Sequence, residues 1–558
     1  MAVSLSHRCL PRRDFLRATG LAATGAVMSC GTPVSTRSVA GGTHDALRLR
    51  GLVVDAARLP EPVPSYRRLI DFSREWRLNA LLFRLTDDQG SALRWQSHPE
   101  LVTHPHALTS EEAHDLARYG QRQGVMVIPE IESFGHTRYI TSVAQHAELE
   151  DGDPHDRRGF TGLCPVAPET LSIMSDLYRE AAAIFPAPYL HGGCDEVNWG
   201  GSARSQRALH ARSRAEIWAG YVNALDETCR RLGKALIIWG DVVLHREPDI
   251  LPRLTRRVIV VDWQYQTLEP QPLARLARRV IDDGRRVIGA AALVSCWSGP
   301  RPGEPQLRNV DAFADAYASL RRPGCLGVVV TNWVPTRCIQ ASLWDGFAYA
   351  AVALARVSAA ARQFAFRSFV ERFYEAPWSA AWQEIFDTYY RVAPSWGSCA
   401  STWPGPRLAL PWASDDDLRR ALGTTATGPS PYRPLRAAMA AAHGTVRRRL
   451  GDFSALALSA EHLDHVFWRE AVVKAAGSAP AQRDAARLIE TIAGRDRSHL
   501  DELERDWNTG RFRDAPAKRE ALPGLEPADQ LFLTMSRAAR FSAQLANDGE
   551  RFHRLLLR

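Results

Sequence analysis

From residue 49 onward the chain alternates short apolar runs with longer amphipathic stretches. The runs cover 49–54, 80–85, 125–128, 189–193, 235–238, 258–261, 287–293 and 327–331. They are rich in Val, Ile and Leu and mostly do not alternate with polar residues, the pattern of parallel strands buried on both faces. Between them lie helix-period segments at 110–123, 168–184, 215–232, 272–283 and 310–320. Strand–helix alternation repeated about eight times predicts an α/β fold, a closed (β/α)8 barrel. An open doubly wound sheet is the rival, but no glycine-rich phosphate turn follows the first run. The pattern stops near residue 342, with a closing helix at 343–359. A further aromatic stretch lies at 371–393 and a Pro/Trp/Gly-rich one at 396–412, where Trp396 and Trp403 are candidate cleft residues. Residues 430–558 then read as long amphipathic helices, among them 455–475 and 480–506. These predict a helical region packed on the barrel, with a partner-binding or dimerisation bundle as the alternative.

The residues that end the apolar runs are unusual. In order they are Asp55 with Arg58, Asp87-Asp88, Glu130 with His136, Asp195-Glu196, Trp239 with Asp241, Asp262-Trp263, Trp297 and Asn332-Trp333. A barrel brings all of these to one rim, where such folds place their active sites. Singly, an Asp suits a helix N-cap and a Trp a core, and the Asp195-Glu196 pair suits a helix N-terminus. A whole set repeated from strand to strand points instead to a pocket. Carboxylates, an arginine, a histidine and several indoles suit a sugar: indoles stack on its apolar face, while Arg and Asp fork onto its hydroxyls. Two carboxyl groups are also what glycosidic cleavage requires.

Composition adds limits. With 45% hydrophobic and 24% charged residues the chain is ordinary for a folded protein, and a formal charge of +8 over 558 residues does not suggest nucleic-acid binding. The 9 cysteines form no CxxC pair and no Cys/His group at zinc spacing, so neither a metal nor a cofactor is expected. Arg12-Arg13, Phe15-Leu16 and the mild apolar run 18–28 resemble a twin-arginine export signal, and Cys30 sits in a loose lipobox. Nothing later reaches the ~18 uninterrupted apolar residues of a membrane span. The expectation is an exported protein, periplasmic or tethered through a lipid on Cys30.

The motifs together resemble glycoside hydrolase family 20, the β-N-acetylhexosaminidases. Residues 50–58 look like that family's first-strand signature, 78–89 like its second, 97–101 like the following loop, and 127–137 like its third strand with a Gly-His turn. His191-Gly192-Gly193-Cys194-Asp195-Glu196 resembles its H-x-G-G-D-E, with Cys194 in place of a glycine, a form nearest the hexosaminidase D branch. The resemblance implies exo-acting hydrolysis of terminal N-acetylglucosamine or N-acetylgalactosamine with retention, the nucleophile being the substrate's own acetamido oxygen. Glu196 would be the acid and then the base, and Asp195 would orient the acetamido group. Arg58 would grip the outer hydroxyls, Asp87 and His136 would back the acid, and Trp239, Trp263 and Trp333 would wall the sugar.

Three departures stand out. Arg84 replaces a usual histidine; residues 292–297 lack the Tyr-Leu-Asp usual after the seventh strand; and Trp333-Val334-Pro335 lacks the glutamate of Trp-x-Glu, for which Asp345 is a candidate substitute. The expected division is a signal at 1–30, a linker at 31–46, a catalytic barrel at 47–355 and a mostly helical region at 356–558. A non-catalytic glycan-binding lipoprotein on the same barrel is the alternative function.

Overall fold

The computed structural model describes residues 47–153, 162–295, 301–320, 322–355, 363–392, 411–423, 430, 432–477, 481–525 and 529–557. The predicted leader, linker and Cys30 anchor lie outside the described residues, as do Trp297, Trp396 and Trp403. The strands, in chain order, are β1 (Leu49–Asp55), β2 (Ala80–Arg84), β3 (Thr86–Asp87), β4 (Gly90–Leu93), β5 (Thr103–Leu108), β6 (Met126–Glu130), β7 (Tyr189–His191), β8 (Ala235–Trp239), β9 (Ile259–Trp263), β10 (Arg286–Val294) and β11 (Cys325–Asn332). Eight of them close into a barrel in the order β1-β11-β10-β9-β8-β7-β6-β2, every pairing parallel, while β3-β4-β5 form a small sheet above β2. The predicted barrel is therefore the observed one.

Both faces of these strands are buried, which explains why their runs are continuously apolar. Val53, Leu82, Ile128, Ile237, Val261, Ile288 and Val329 fill the interior. Their neighbours Leu52, Leu81, Val127, Leu236, Val260, Val287 and Val328 face the surrounding helices. Those helices are tied down locally: capping boxes at Thr109/Glu112 and Ser213/Glu216 open Ser110–Arg122 and Arg214–Arg231. Helix Glu304–Leu320 begins six residues before the predicted 310. Asn309 interrupts the apolar period there, yet it is buried, donating to the carbonyls of Gln264 and Thr267 and accepting from Ala292 N.

The C-terminal helices pack on the barrel. Trp344 Nε1 donates to Asp452, Arg449 pairs with Glu75 at 3.1 Å, and Phe72 meets Phe373 with ring centroids 6.1 Å apart. Beyond helix Gln482–Gly510 the chain returns to the rim. Phe512 stacks on His106 at 3.9 Å, Arg511 donates to Cys338 O, and Gln89 donates to Pro523 O. Among the described residues no helix is long and apolar enough to cross a membrane, and Cys164, Cys194, Cys229, Cys325 and Cys338 are free thiols.

Candidate active site

Strand β7 is two residues shorter than its apolar run because Gly192-Gly193 leave the sheet. Gly193 has φ +63°, and a Cβ there would lie 2.0 Å from Glu132 Oε2, so only glycine fits. Cys194 (φ 71°) and Glu196 (φ 49°) then hold left-handed backbone that side chains seldom adopt. Three contacts hold the loop in this shape. Gly193 N donates to His191 Nδ1 at 3.0 Å, Cys194 Sγ donates to Gly192 O, and Glu196 N donates to Asp241 Oδ2 at 3.1 Å. Gly135 closes the other side: a Cβ on it would sit 2.2 Å from Asp195 O. Backbone strain concentrated here presents two neighbouring carboxylates at different depths, Glu196 with 29% and Asp195 with 13% of its side chain exposed.

His136 connects them to the second-strand acids. Its Nε2 lies 3.3 Å from Glu196 Oε2 and 3.8 Å from Asp195 Oδ2, and its Nδ1 lies 3.3 Å from Asp88 Oδ2 and 3.8 Å from Asp87 Oδ1. Burial alone would hold the imidazole's pKa down. The charge of Asp87, hydrogen bonds to Asp88 and Glu196, and the charge of Asp195 outweigh it and raise the pKa well above 6.5. These partners favour its charged form, and its nearer second-strand acid is Asp88.

Asp87 is engaged elsewhere. Its Oδ2 accepts from Arg84 at 2.7 Å and pairs with Arg58 Nη2 at 3.0 Å, while Arg58 Nη1 reaches Asp55 at 2.9 Å. Arg84, 1% exposed, also binds Glu130 at 2.7 Å and Glu132 at 2.5 Å. One guanidinium therefore serves three carboxylates. Burial lifts Glu130 to about 7 against the pull of Arg84, and lifts Glu132 well above the usual carboxylate range. Asp241 is likewise lifted to about 7 by burial, with Arg246 opposing and Asp195 and Glu196 reinforcing.

The indoles occupy three positions. Trp239 is buried, donates Nε1 to Glu130 at 2.7 Å and packs on His191 at 4.7 Å. Trp333 meets its edge at 5.6 Å and lies under the guanidinium groups of Arg84 (5.2 Å) and Arg58 (5.7 Å). Trp263 joins through Tyr265, 5.0 Å away, whose hydroxyl accepts from Trp333 Nε1 at 2.7 Å. Arg58, Asp87, His136, Asp195, Glu196, Trp239, Trp263 and Trp333 thus form one connected group at one end of the barrel.

Asp345 does not join them. It is 1% exposed, and its Oδ2 is taken by Arg301 at 2.6 Å and Tyr390 at 2.8 Å, so it makes no rim contact of the kind a substitute glutamate needs. Sequence reasoning missed Asp88 as the partner of His136, Tyr265, and the C-terminal segment beside Arg58. The adjacent acids Asp87-Asp88 and the Trp263-x-Tyr265 spacing were the available signals for the first two. Ala515, Pro516, Ala517 and Leu522 close the outer side of Arg58 and His104, and nothing in residues 55–58 announces them. Beyond the acid lies a cavity of about 170 Å³ lined by Val197, Asn198, Trp199, Arg214, Trp218 and Arg246, among others.

An eight-stranded parallel barrel with paired acids on the loop after its fourth strand holds them at the C-terminal strand ends, where such barrels carry their active sites. Residues 48–294 match the profile of the glycosyl hydrolase family 20 catalytic domain. The chain is 24% identical over 267 residues to a β-hexosaminidase of Vibrio furnissii, covering 42% of each. It is 32% identical over 171 residues to a β-N-acetylhexosaminidase of Cellulomonas fimi, covering 28% of this chain and 34% of that one. It spans about two-fifths of the length of the curated relatives it matches. Among solved structures, the family 20 β-N-acetylhexosaminidase of Streptomyces coelicolor A3(2) aligns at a TM-score of 0.45 and 20% identity, covering 58% of this chain and 68% of that one.

Proposed function

We propose that the protein is an exo-acting β-N-acetylhexosaminidase working by substrate-assisted, retaining catalysis. The observation that carries this reading is the pairing at the end of β7. Glu196 is partly exposed and 3.3 Å from the His136 imidazole, while Asp195 Oδ1 is buried with no hydrogen-bond partner among the described residues. A buried, unpaired carboxylate oxygen is costly unless a ligand donor meets it. The N–H of a 2-acetamido group is such a donor, and binding it turns the acetamido carbonyl oxygen toward the anomeric carbon. Glu196 protonates the departing glycosidic oxygen as that oxygen attacks. Glu196 then takes a proton from the water that reopens the cyclised sugar, and two inversions give net retention. His136, 3.3 Å from Glu196 and 3.8 Å from Asp195, positions both acids. Asp195 faces the positive charge that develops on the acetamido group.

Arg58 is proposed to bind the outer hydroxyls from its place between Asp55 and Asp87, with Trp333 and Trp263 as the walls and Trp239 as the floor. Tyr265, held by Trp333, reaches the rim from the sixth barrel strand where the seventh lacks a tyrosine. The substrate class is a glycan ending in N-acetylglucosamine or N-acetylgalactosamine, and the Gly-Cys-Asp-Glu sequence favours the hexosaminidase D branch. We assign residues 1–30 to a twin-arginine export signal with Cys30 as lipid anchor, 31–46 to a linker, 47–355 to the catalytic barrel and 356–558 to a helical region. That division makes the protein periplasmic or membrane-tethered and rests on the sequence features alone.

Incubating the purified chain with aryl N-acetyl-β-glucosaminide and N-acetyl-β-galactosaminide tests the reading. Release of the aryl group by wild type but not by Glu196→Gln is expected, and equal release by both would overturn it.

A further inference from the structure

A second group of ligating side chains lies away from the paired acids. His98 and Glu100 stand on the loop between β4 and β5, and His146 stands on the 3-10 turn Ala144–Leu149. His98 Nδ1 is 2.9 Å and His146 Nε2 is 3.0 Å from the same oxygen, Glu100 Oε1, and the three atoms lie within 4.8 Å of one another. The other nitrogen of His98 faces Asp176 Oδ2 at 3.4 Å, from helix Pro168–Ile184.

His98 presents both nitrogens to carboxylates, a geometry met either by an imidazolium donating twice or by a neutral imidazole with one nitrogen on a metal ion. His146 Nε2 is also 3.0 Å from the carboxamide of the exposed Gln145, whose nitrogen and oxygen exchange by a simple flip. A divalent cation beside Glu100 Oε1 would take the place of the protons shared with the two imidazoles. His98 becomes the Nε2–H tautomer, donating to Asp176 and turning its Nδ1 lone pair to the ion, the carboxylate–histidine–metal relay that commonly supports metal ligands. His146 Nε2 likewise turns its lone pair to the ion, and the exposed Gln145 amide swings away to solvent.

We propose that His98, Glu100 and His146 form a binding site for a first-row divalent ion of the Zn2+ class, with Asp176 as outer partner. Two imidazoles and one carboxylate are a set that suits zinc. A tetrahedral ion about 2.0–2.1 Å from each ligand separates the ligand atoms by roughly 3.3 Å, so the two separations from Glu100 Oε1, 2.9 and 3.0 Å, need to open by only a few tenths of an ångström. The His98 and His146 side chains are each 15% exposed and that of Glu100 27%, which leaves a solvent-facing position for water. The ion would staple the loop after β4 to the loop that carries His136 and to a barrel helix. The role is structural, and independent of the glycosidase reading.

Titrating the metal-free full chain with Co2+ alone at pH 7.5 tests the site. One equivalent should bind with visible absorption of a low-coordinate ion, be displaced by Zn2+, and raise the melting temperature. His146→Ala and Glu100→Gln should each weaken binding at least tenfold, and Asp176→Asn about tenfold. Zinc-edge X-ray absorption of the wild-type complex should show two imidazoles with oxygen ligands, and it decides the question even if a variant fails to fold. Absence of stoichiometric binding, unchanged binding in His146→Ala, or a ligand sphere with sulfur or with one or three imidazoles would overturn the proposal.

Discussion

The molecule buries two clusters built from the same residue types, and they behave in opposite ways. At the barrel rim, Arg58, Arg84 and His136 face Asp55, Asp87, Asp88, Glu130, Glu132, Asp195 and Glu196, so carboxylates outnumber cations. In the helical region, Asp496 accepts from His465 at 2.8 Å and Ser542 at 2.7 Å and forms an ion pair with Arg469 at 2.9 Å, with His462 and His499 stacked alongside at 5.3 Å. Asp496 is completely buried, whereas 29% of Glu196 is exposed. Polarity in a protein interior is therefore not itself the mark of a site. The rim has a surplus of acceptors and an opening to solvent, while the helical cluster has neither and serves to fix how its helices pack.

The largest effect that separates the two is on turnover. Glu196→Gln should lower kcat/KM by about 10²–10⁴-fold with little change in melting temperature. Asp496→Asn should leave kcat/KM within about twofold while lowering stability, since it weakens a buried charge pair. A catalytic loss in the second variant would erase the distinction. Next in size is Arg84→Met, which leaves three buried carboxylates without their shared cation and should cost about 3–5 kcal/mol in chemical denaturation. Activity should fall with it, because Asp87 and Glu130 lose the group that orders Arg58 and Trp239.

A smaller effect is a pair of opposed pH slopes. Glu130 and Asp241 are raised to about 7 by burial, with Arg84 and Arg246 respectively opposing. Between roughly pH 4 and 7 the unfolded chain has released these protons and the folded one has not, so their contribution to stability falls as pH rises. His462 is lowered to about 3, by burial and then by His465. Between pH 6.5 and about 3 the unfolded chain binds the proton and the folded one does not, so the helical cluster loses stability as pH falls. Hydrogen exchange at pH 5 and 7, corrected for intrinsic rates, should show β6 and β8 better protected at the lower pH. Helices Leu450–Ala476 and Gln482–Gly510 should be better protected at the higher pH. Parallel trends would contradict the assignment. The smallest effect concerns the join between the regions: Gln89→Ala removes the bond to Pro523 O and should cost about 1 kcal/mol, read as a lower melting temperature.

The barrel was legible because parallel strands buried on both faces leave continuous apolar runs, and each predicted strand starts within two residues of its place. The rim residues were legible because barrel topology gathers strand ends. What escaped had no local pattern. The route of residues 511–525 back to Arg58 depends on pairings such as Gln89 with Pro523, 434 positions apart. The engagement of Asp87 by Arg84 left Asp88 to His136, a choice of neighbour that spacing alone does not make. Asp345 suggested a sugar ligand by its position and is consumed by Arg301, which lies 44 residues upstream.

The central claim is that the nucleophile belongs to the substrate and not to the protein. The most direct test compares release of the same aryl leaving group from an N-acetyl-β-glucosaminide and from the β-glucoside, whose 2-position carries a hydroxyl. The account predicts turnover of the first only, with the β-anomer of the free sugar as initial product. Comparable cleavage of both, or release of the α-anomer, would contradict it.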